Sequence, residues 1–274
     1  MSEIDISQLT ERQRRELEYH VGHAELNQKI LDQPFSWEIL DRPARRWWNG
    51  YWQMFAYLVE CDLKDKQVLV VGCGFGDDAL RLAKLGAKVS AFDLSEASLS
   101  IARQLAEREH LQISFKQMPS EKLGYDDNSF DVIIARDILH HVDIPKTMRE
   151  LVRVARPNAL FVVNEIYTYS ITDRIRNSAI VSKTLYPRMQ KFIYGEGKPY
   201  ITEDERKLSE LDIVAISKSH GLPEMRKYFN FLVTRIVPDR ITLFAKIDRA
   251  LLFVLGPLGK LVAGRVLFSA RILK

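Results

Sequence analysis

Cysteine is scarce in this chain, and long uncharged apolar runs are missing. Cys61 and Cys73 are the only cysteines among 274 residues, which excludes a disulfide framework and predicts a reducing, cytoplasmic location. In the C-terminal tail the longest uncharged apolar run, residues 250–259, is short and contains Gly and Pro, so no transmembrane helix is predicted. The first residues are polar and acidic, unlike a secretory signal.

Internal repeats and low-complexity segments are also absent, and 46% apolar with 28% charged residues is typical of an ordinary globular protein. The net charge of +4 is concentrated at the C-terminus, where residues 240–274 carry seven Lys or Arg against one acid, Asp248. A nucleic-acid binder would spread its cations more widely, so none is expected as a partner. A basic, apolar tail instead fits either an amphipathic helix packed on the fold or weak membrane or lipid association.

Strands and helices alternate through the middle of the chain, which predicts a parallel sheet with helices on both faces. Short β-branched or apolar runs predict strands at 67–71, 88–92, 112–116, 131–135 and 159–165. Helical spacing and caps predict helices at 10–30, 77–85, 96–109 and 144–154, with another helical region in 34–57.

The rhythm breaks after residue 166, where tyrosines with Pro and Gly predict a mostly helical insertion. A capping box at 202–205 predicts a helix to about residue 220, followed by strands at 224–231 and 265–273 around an amphipathic helix at 239–255. We therefore predict four parts, listed as a helical cap at 1–60, a cofactor-binding core at 61–166, the insertion at 167–202 and the rest of the core at 203–274.

The strongest local pattern is the glycine turn VLVVGCGFG at 68–76, followed by Asp93 at the end of the next predicted strand. Such glycines allow a tight strand-to-helix turn, and the later carboxylate is placed to bind a ribose diol. The spacing is Gly-x-Gly-x-Gly rather than the dinucleotide pattern, and Asp77 with Asp78 would repel a pyrophosphate. Charge thus favours a sulfonium cofactor over NAD, against the alternative of a tight turn with no ligand.

Together with further motifs, this turn resembles the class I S-adenosylmethionine-dependent methyltransferases, and within them the small-molecule type that includes quinone-biosynthesis enzymes. The likeness covers about residues 63–165 and rests on VLVVGCGFG, AFDLS at 91–95, PSEKL at 119–123, SFDVI at 129–133, LHHV at 139–142 and ELVRV at 150–154. It implies a Rossmann-like α/β sheet of about seven strands, with an N-terminal helical segment and a helical insertion after the fifth strand.

The resemblance also implies roles for individual residues. The methionine part of S-adenosylmethionine, which leaves as S-adenosylhomocysteine, is expected near Gly72, Cys73, Gly74 and Gly76. Asp93 would bind the ribose and Leu94 the adenine face, with Ser120 and Glu121 flanking adenine. Arg136 would face the methionine end, and Tyr19 and His20 on the N-terminal helix would reach the cofactor carboxylate. No metal site is predicted.

Candidate bases are few, and each has two open interpretations. His140 and His141 follow the fourth predicted strand, at the edge where open α/β sheets bind ligands. They either remove a proton from the acceptor or cap the turn and pack beneath it. Glu165, at the end of the fifth strand, is either a base or substrate ligand or a structural carboxylate.

Aromatic residues suggest the acceptor class. The four tryptophans, Trp37, Trp47, Trp48 and Trp52, either form the core where the N-terminal segment docks or wall a hydrophobic pocket. We predict methyl transfer to a small, rather hydrophobic acceptor, such as a secondary metabolite, a quinone-like ring or a lipid-linked molecule. A macromolecular acceptor and a non-catalytic cofactor-binding protein are the alternatives, and a homo-oligomer is compatible with the sequence.

Overall fold

A seven-stranded sheet organises the chain in the computed structural model, which describes residues 6–176, 178–185, 187, 207–233 and 241–274. Its order is β3-β2-β1-β4-β5-β7-β6. The strands are β1 (Gln67–Val71), β2 (Lys88–Asp93), β3 (Ile113–Gln117), β4 (Phe130–Arg136), β5 (Ala155–Ile166), β6 (Met225–Phe229) and β7 (Arg265–Arg271). The Rossmann-like sheet of about seven strands predicted from the sequence is confirmed.

One strand departs from the predicted parallel arrangement. β1 to β5 run parallel, whereas β7 is antiparallel to both of its neighbours, β5 and β6. The parallel arrangement predicted for the five strands up to residue 165 is thus confirmed, and the sheet as a whole is mixed. Strand direction depends on how the connection crosses the sheet, and the residues of β7 carry no signature of direction.

Helices cover both faces of the sheet. They are α1 (Glu11–Leu26), α2 (Glu38–Asp41), α3 (Gly50–Glu60), α4 (Asp77–Lys84), α5 (Glu96–Arg108), α6 (Ile144–Val154), α7 (Ser170–Arg176), α8 (Glu210–Ser217) and α9 (Thr242–Leu255). Alternate residues of β1 belong to different cores: Val68 and Val70 pack with α3, α4 and α5, while Leu69 and Val71 pack with α6 and α8. Strands buried on both faces explain the nearly continuous apolar runs.

Capping residues set the start of several helices where the sequence predicted them. Thr10 and Gln13 form a capping box at α1, and the Ser95 hydroxyl accepts a bond from the Ser98 backbone N–H at α5. α1 ends earlier than predicted, at Leu26, and a 3-10 turn, Gln28–Asp32, follows.

Beyond β5, the boundaries differ from the prediction. α7 and a π-helical turn, Val181–Leu185, form the described part of the predicted insertion, whereas Tyr186, Phe192, Tyr194, Tyr200 and the capping box at 202–205 lie outside the described residues. Residues 207–209 are not helical; α8 begins at Glu210 after a capping box of Ser209 with Asp212. In the described part of the chain, no helix is both long and apolar enough to span a bilayer.

The fifth strand begins earlier than predicted. β5 begins at Ala155, four residues early, and the register with β4 shifts between Phe130 and Val132. Asn158 has a φ of 63°, in the left-handed region that asparagine tolerates. The irregularity therefore bends the strand without ending it.

Candidate functional site

A cavity of 440 Å³ lies at the carboxyl edge of the sheet, between the ends of β1, β2 and β4 and the covering helix α1. This is the position where open α/β sheets bind ligands, and the volume suits a small molecule. Ten of the predicted site residues line it: Gly72, Cys73, Gly74, Asp93, Leu94, Ser120, Glu121, Arg136, His140 and His141. The other three predicted site residues do not line the cavity: Gly76, Tyr19 and Glu165.

The glycine turn and Asp93 form one rigid unit. The Asp93 carboxylate accepts hydrogen bonds from the backbone N–H of Gly74 at 2.8 Å and of Ser95 at 2.9 Å. Both bonds fix the orientation of a carboxylate that lines the cavity, and its oxygens retain further acceptor capacity. At Gly74 no atom lies within 4 Å of the position that a Cβ would take, so a ligand can approach the backbone there.

Gly76 has a different function in the same turn. Its φ is 88°, and a Cβ there would lie 2.9 Å from the Ala102 Cβ and 3.0 Å from a Leu80 methyl carbon. This glycine therefore allows α4 to pack closely against α5. Its predicted contact with the cofactor stays a prediction, since the residue does not belong to the cavity wall.

Cys73 is inert as a nucleophile. Burial raises the pKa of its thiol well above the ordinary value, so the reactive thiolate is disfavoured. The residue contributes its backbone to the turn, as the sequence suggested.

The loop after β3 lines part of the cavity and is fixed by polar contacts. The hydroxyls of Ser120 and Thr147 lie 3.0 Å apart. Glu121 accepts a bond from the backbone N–H of Asp143 at 3.1 Å and from the Gln13 side chain, on α1, at 2.9 Å. Glu121 thus ties the covering helix to the sheet edge.

Arg136 changes the charge argument made from the sequence. Its Nε donates to the Asp78 carboxylate at 2.7 Å, and its guanidinium lies over the Tyr51 ring at 4.7 Å. Asp78 is therefore neutralised away from the ligand, and only Asp77 lines the cavity. Asp77 itself lies 3.2 Å from the Arg81 guanidinium, so the repulsion of a pyrophosphate expected from two carboxylates is weakened at both.

Asp137 and Arg265 join the two halves of the sheet at the cavity wall. The Arg265 guanidinium lies 2.8 Å from the Asp137 carboxylate. Although burial opposes ionisation, Arg265 and Arg136 more than offset it and lower the pKa of Asp137. Both arginines therefore stabilise a charged carboxylate here. The sequence did not single out Arg265, because this residue starts β7, far along the chain from Asp137.

His140 and Glu165 form a buried pair. One Glu165 carboxylate oxygen accepts from the backbone N–H groups of Ile138 at 2.6 Å and Leu139 at 2.7 Å. The other lies 2.7 Å from His140 Nδ1. Glu165 is fully buried, whereas His140 reaches the cavity. The carboxylate therefore orients the imidazole and does not itself face a ligand.

Glu16 on α1 is a site residue that sequence reasoning missed. It is 5% exposed, lines the cavity, and its carboxylate lies 3.1 Å from His141 Nδ1 and 3.9 Å from His20 Nε2. The rings of His140 and His141 are 4.0 Å apart. Only the spacing of four residues between Glu16 and His20 hinted that both share a helix face.

A stack of rings holds α1 over the glycine turn. His23 stacks on Phe75 with centroids 5.3 Å apart, and Tyr19 stacks on His23 at 6.0 Å. His20 and His23 line the cavity, while Tyr19 lies one ring further out. Of the two residues predicted to reach the cofactor, His20 therefore lines the cavity and Tyr19 does not, because the helix turns the histidine face inward.

Among the described residues that line the cavity there is no tryptophan. Trp52 is buried in the core, Trp37 packs on Phe35 with ring centroids 4.6 Å apart, and Trp47 meets Trp48 at 6.0 Å. This placement favours the interpretation that the cluster docks the N-terminal segment.

Sequence comparisons point to one family. Residues 69–163 match a family model described as a methyltransferase domain. A ubiquinone biosynthesis O-methyltransferase of Coxiella burnetii is 35% identical over 116 residues, which cover 38% of this chain and 50% of the relative. The enzyme of the same name from Nitrosococcus oceani is 42% identical over 87 residues, covering 31% and 37%. The chain spans about half, or less, of the length of these curated relatives.

Solved structures share the fold over nearly the whole chain. Magnesium protoporphyrin IX methyltransferase from Synechocystis PCC 6803 matches with a TM-score of 0.57 and 15% identity, covering 96% of this chain and 100% of that one. The [4+2]-cyclase SpnF matches with a TM-score of 0.58 and 19% identity, covering 96% of both. At these identities the likeness concerns the fold alone. Residues 69–163 nevertheless match a methyltransferase domain, and the resemblance to class I S-adenosylmethionine-dependent methyltransferases predicted from the sequence is confirmed.

Proposed function

We propose that this protein transfers a methyl group from S-adenosylmethionine to a hydroxyl of a small, hydrophobic, quinone-like acceptor. The observation that carries the proposal is one cavity in which the Gly74–Asp93 unit and the His140–Glu165 pair both take part. The partial relatives are ubiquinone biosynthesis O-methyltransferases, which supports a hydroxyl acceptor and a ring of this kind.

The residues of the cavity fit the cofactor. Asp93 presents acceptors for ribose hydroxyls, and the open space over Gly74 admits a ligand against the backbone. Leu94 and Met118 supply apolar wall for an adenine ring. When bound, S-adenosylmethionine supplies a methyl group on a positively charged sulfur; the protein positions the reactants and excludes water.

His140 acts as the base in this proposal, and Glu165 positions it. The Glu165 oxygen 2.7 Å from Nδ1 favours the imidazole proton on that nitrogen, while two backbone N–H groups fix the carboxylate through its other oxygen. Nε2 is then the basic nitrogen, suited to take the proton of an acceptor hydroxyl as it attacks. His141, with Glu16, closes the cavity beside it.

The wider setting also belongs to the proposal. We place the protein in the cytoplasm, and its acceptor among secondary metabolites, quinone-like rings or lipid-linked molecules. The SpnF cyclase shares this fold, so the fold alone does not decide that methyl transfer occurs. The test must therefore measure binding and transfer separately.

Binding is tested by calorimetric titration of S-adenosylmethionine, S-adenosylhomocysteine and NAD. We expect the first two to bind and Asp93→Asn to raise their Kd by about 10- to 100-fold, since a hydrogen bond to a charged group contributes about 1.5–3 kcal/mol. Asp65→Asn is the matched control: Asp65 is exposed and its φ of 61° suits asparagine. Equal affinity in all three proteins would remove the assignment of Asp93.

Transfer is tested with methyl-labelled S-adenosylmethionine and a hydrophobic catechol, a phenol and a secondary amine as acceptors. Label in the catechol or phenol product supports the proposal. Label in the amine alone would contradict a hydroxyl acceptor, and cofactor binding without transfer to any of them would favour the non-catalytic alternative.

A further inference from the structure

The outward face of α9 is apolar, which is unusual for a surface helix. Six large side chains on this helix are 40–82% exposed: Leu243, Phe244, Ile247, Leu251, Phe253 and Val254. We call them the α9 face. At 100° per residue these six side chains lie on one half of the helix circumference, which also contains Lys246 and the small Ala250. Surface helices normally turn such residues inward, and contiguous exposed apolar patches mark interaction sites.

Polar contacts on the inner side of α9 explain why the helix is held this way round. The Asp248 carboxylate is buried and accepts from the backbone N–H groups of Phe231 at 3.0 Å and Leu232 at 2.5 Å. The Arg249 guanidinium lies over the Phe229 ring at 4.7 Å. Turning the apolar half inward would leave these backbone groups without their carboxylate, so the apolar half faces outward.

Within residues 241–274, the charges exposed near the α9 face have one sign. Lys246 is exposed on the same half of the helix, with its ammonium 5.0 Å from the Trp48 ring centroid, and Lys260 is exposed in the 3-10 turn Gly256–Leu261 that follows. Asp248, the only acid in residues 240–274, is buried and accepts a hydrogen bond from the Phe231 backbone N–H. Cations without acids complement an anionic surface. A second copy pairing through this face would bring like cations together, which disfavours self-association.

The chain that follows α9 reaches the cavity wall. The 3-10 turn is followed after three residues by Arg265, the first residue of β7, which lines the cavity and pairs with Asp137. Arg265 is in register with Ile166, at the carboxyl end of β5 and also a cavity residue. A short stretch of chain therefore connects the α9 face to the sheet edge where the cavity lies.

We propose that the α9 face docks on the surface of an anionic lipid membrane, with its apolar side chains in the headgroup region and Lys246 and Lys260 near lipid phosphates. An apolar helix face flanked by cations binds such interfaces. The inference deepens the proposed function and rests on it for one point, that a membrane-dissolved hydrophobic acceptor then enters at the edge where the protein touches the lipid.

Vesicle co-sedimentation tests this surface without any cofactor. Vesicles are made of phosphatidylcholine alone or of phosphatidylcholine mixed with phosphatidylglycerol. We expect the protein to sediment with the mixed vesicles and Phe253→Ser/Val254→Ser to weaken binding at least about tenfold. Leu211→Ser/Val214→Ser is the matched control, because it removes two exposed apolar side chains from α8 instead. Lys260→Glu should weaken binding several-fold, most strongly at low salt.

Several results would overturn the docking surface. They are a wild-type protein that stays with the soluble fraction, equal losses in the α8 control, or binding to neutral vesicles that Lys260→Glu does not change. A wild-type dimer that Phe253→Ser/Val254→Ser dissolves would assign the face to a second copy. Melting curves check folding, and Phe253→Ser alone replaces the double variant if that unfolds. Loss of S-adenosylmethionine binding in Asp93→Asn with vesicle binding intact separates this surface from the proposed function.

Discussion

The two ends of the cavity are built in different ways. At the cofactor end, the glycine turn and Asp93 come from two successive strands and are joined through backbone N–H groups. At the histidine end, the side chains come from four distant places: Glu16 on α1, His140 after β4, Glu165 at the end of β5 and Arg265 at the start of β7.

This difference separates what each end contributes. Apart from the Asp93 carboxylate, the proposed cofactor end consists of glycines and backbone donors that carry no titratable charge, so its geometry depends mainly on backbone conformation. The histidine end consists of titratable side chains held by one another, so its chemistry depends on pH and on every contributing segment. Substitutions at the two ends should therefore differ in which property they change.

The largest effect is expected at the histidine end, in His140→Ala. Loss of a general base should lower kcat by about 100- to 10,000-fold. The affinity for S-adenosylmethionine should stay near that of the wild type, because Asp93 and Gly74 are untouched. Steady-state kinetics with titration calorimetry measures both. His110→Asn is the control, an exposed histidine whose φ of 56° suits asparagine. Wild-type turnover in His140→Ala would reduce this residue to packing.

Glu165→Gln should produce the next largest change. Gln can still accept from the Ile138 and Leu139 N–H groups, but it presents no negative charge to His140 Nδ1. We expect kcat to fall about 10- to 100-fold, as for other partners that orient a functional histidine. The acid limb of the kcat profile should move to lower pH, since protonated imidazole loses its counter-charge.

The pH profile of Glu165→Gln shows whether Glu165 positions His140 or only supports the fold. Glu224→Gln, which removes an exposed carboxylate paired with Arg271, is its control. A lower kcat with an unchanged pH profile would mean that Glu165 only supports the fold.

Two glycine substitutions should distinguish ligand contact from helix packing within the proposed cofactor end. Gly74→Ala should raise the Kd for S-adenosylmethionine about tenfold or more, because the new methyl group enters the open space over the turn, and the φ of 51° at Gly74 adds a backbone cost in stability of about 1–2 kcal/mol. Gly76→Ala should mainly lower the free energy of unfolding, by about 1–3 kcal/mol, since its Cβ would meet Ala102 and Leu80 at a φ of 88°. Urea denaturation and calorimetry compare the two; the reverse pattern would exchange their assignments.

The smallest effect concerns His20. Burial lowers the pKa of His20 from its ordinary value of 6.5, so the unfolded chain binds this proton more readily than the folded one. Its contribution to stability is therefore complete above 6.5 and is lost as the pH falls below it. The melting temperature of His20→Gln should fall less steeply on acidification than that of the wild type.

His220 serves as an internal reference for this measurement. Burial also lowers the pKa of His220, and this residue is present in both the wild type and His20→Gln. A steeper fall in His20→Gln than in the wild type would contradict the burial argument. His110→Asn should follow the wild type.

Sequence reasoning succeeded where the determining contacts are local. The strands β1 and β2, the cap at Ser95 and the capping box of Thr10 with Gln13 depend on neighbours a few residues away. The glycine spacing before Asp93 belongs to the same class, because one turn and one strand suffice to bring these residues together.

It failed where distant segments compete. The direction of β7 depends on how the chain returns to the sheet, and the bend at Asn158 depends on register with β4. The charge of Asp78 is neutralised by Arg136, 58 residues away along the chain. Spacing along the sequence contains none of this information.

The sequence by itself therefore determined the domain class and the cofactor end of the cavity. Only the tertiary structure decided the histidine end, where Glu16 meets His141 and Glu165 meets His140, and the outward orientation of the α9 face. The physical reason is the reach of the contacts: a turn is specified by the residues within it, whereas a buried ion pair or an outward helix face is specified by what the rest of the chain packs beside it.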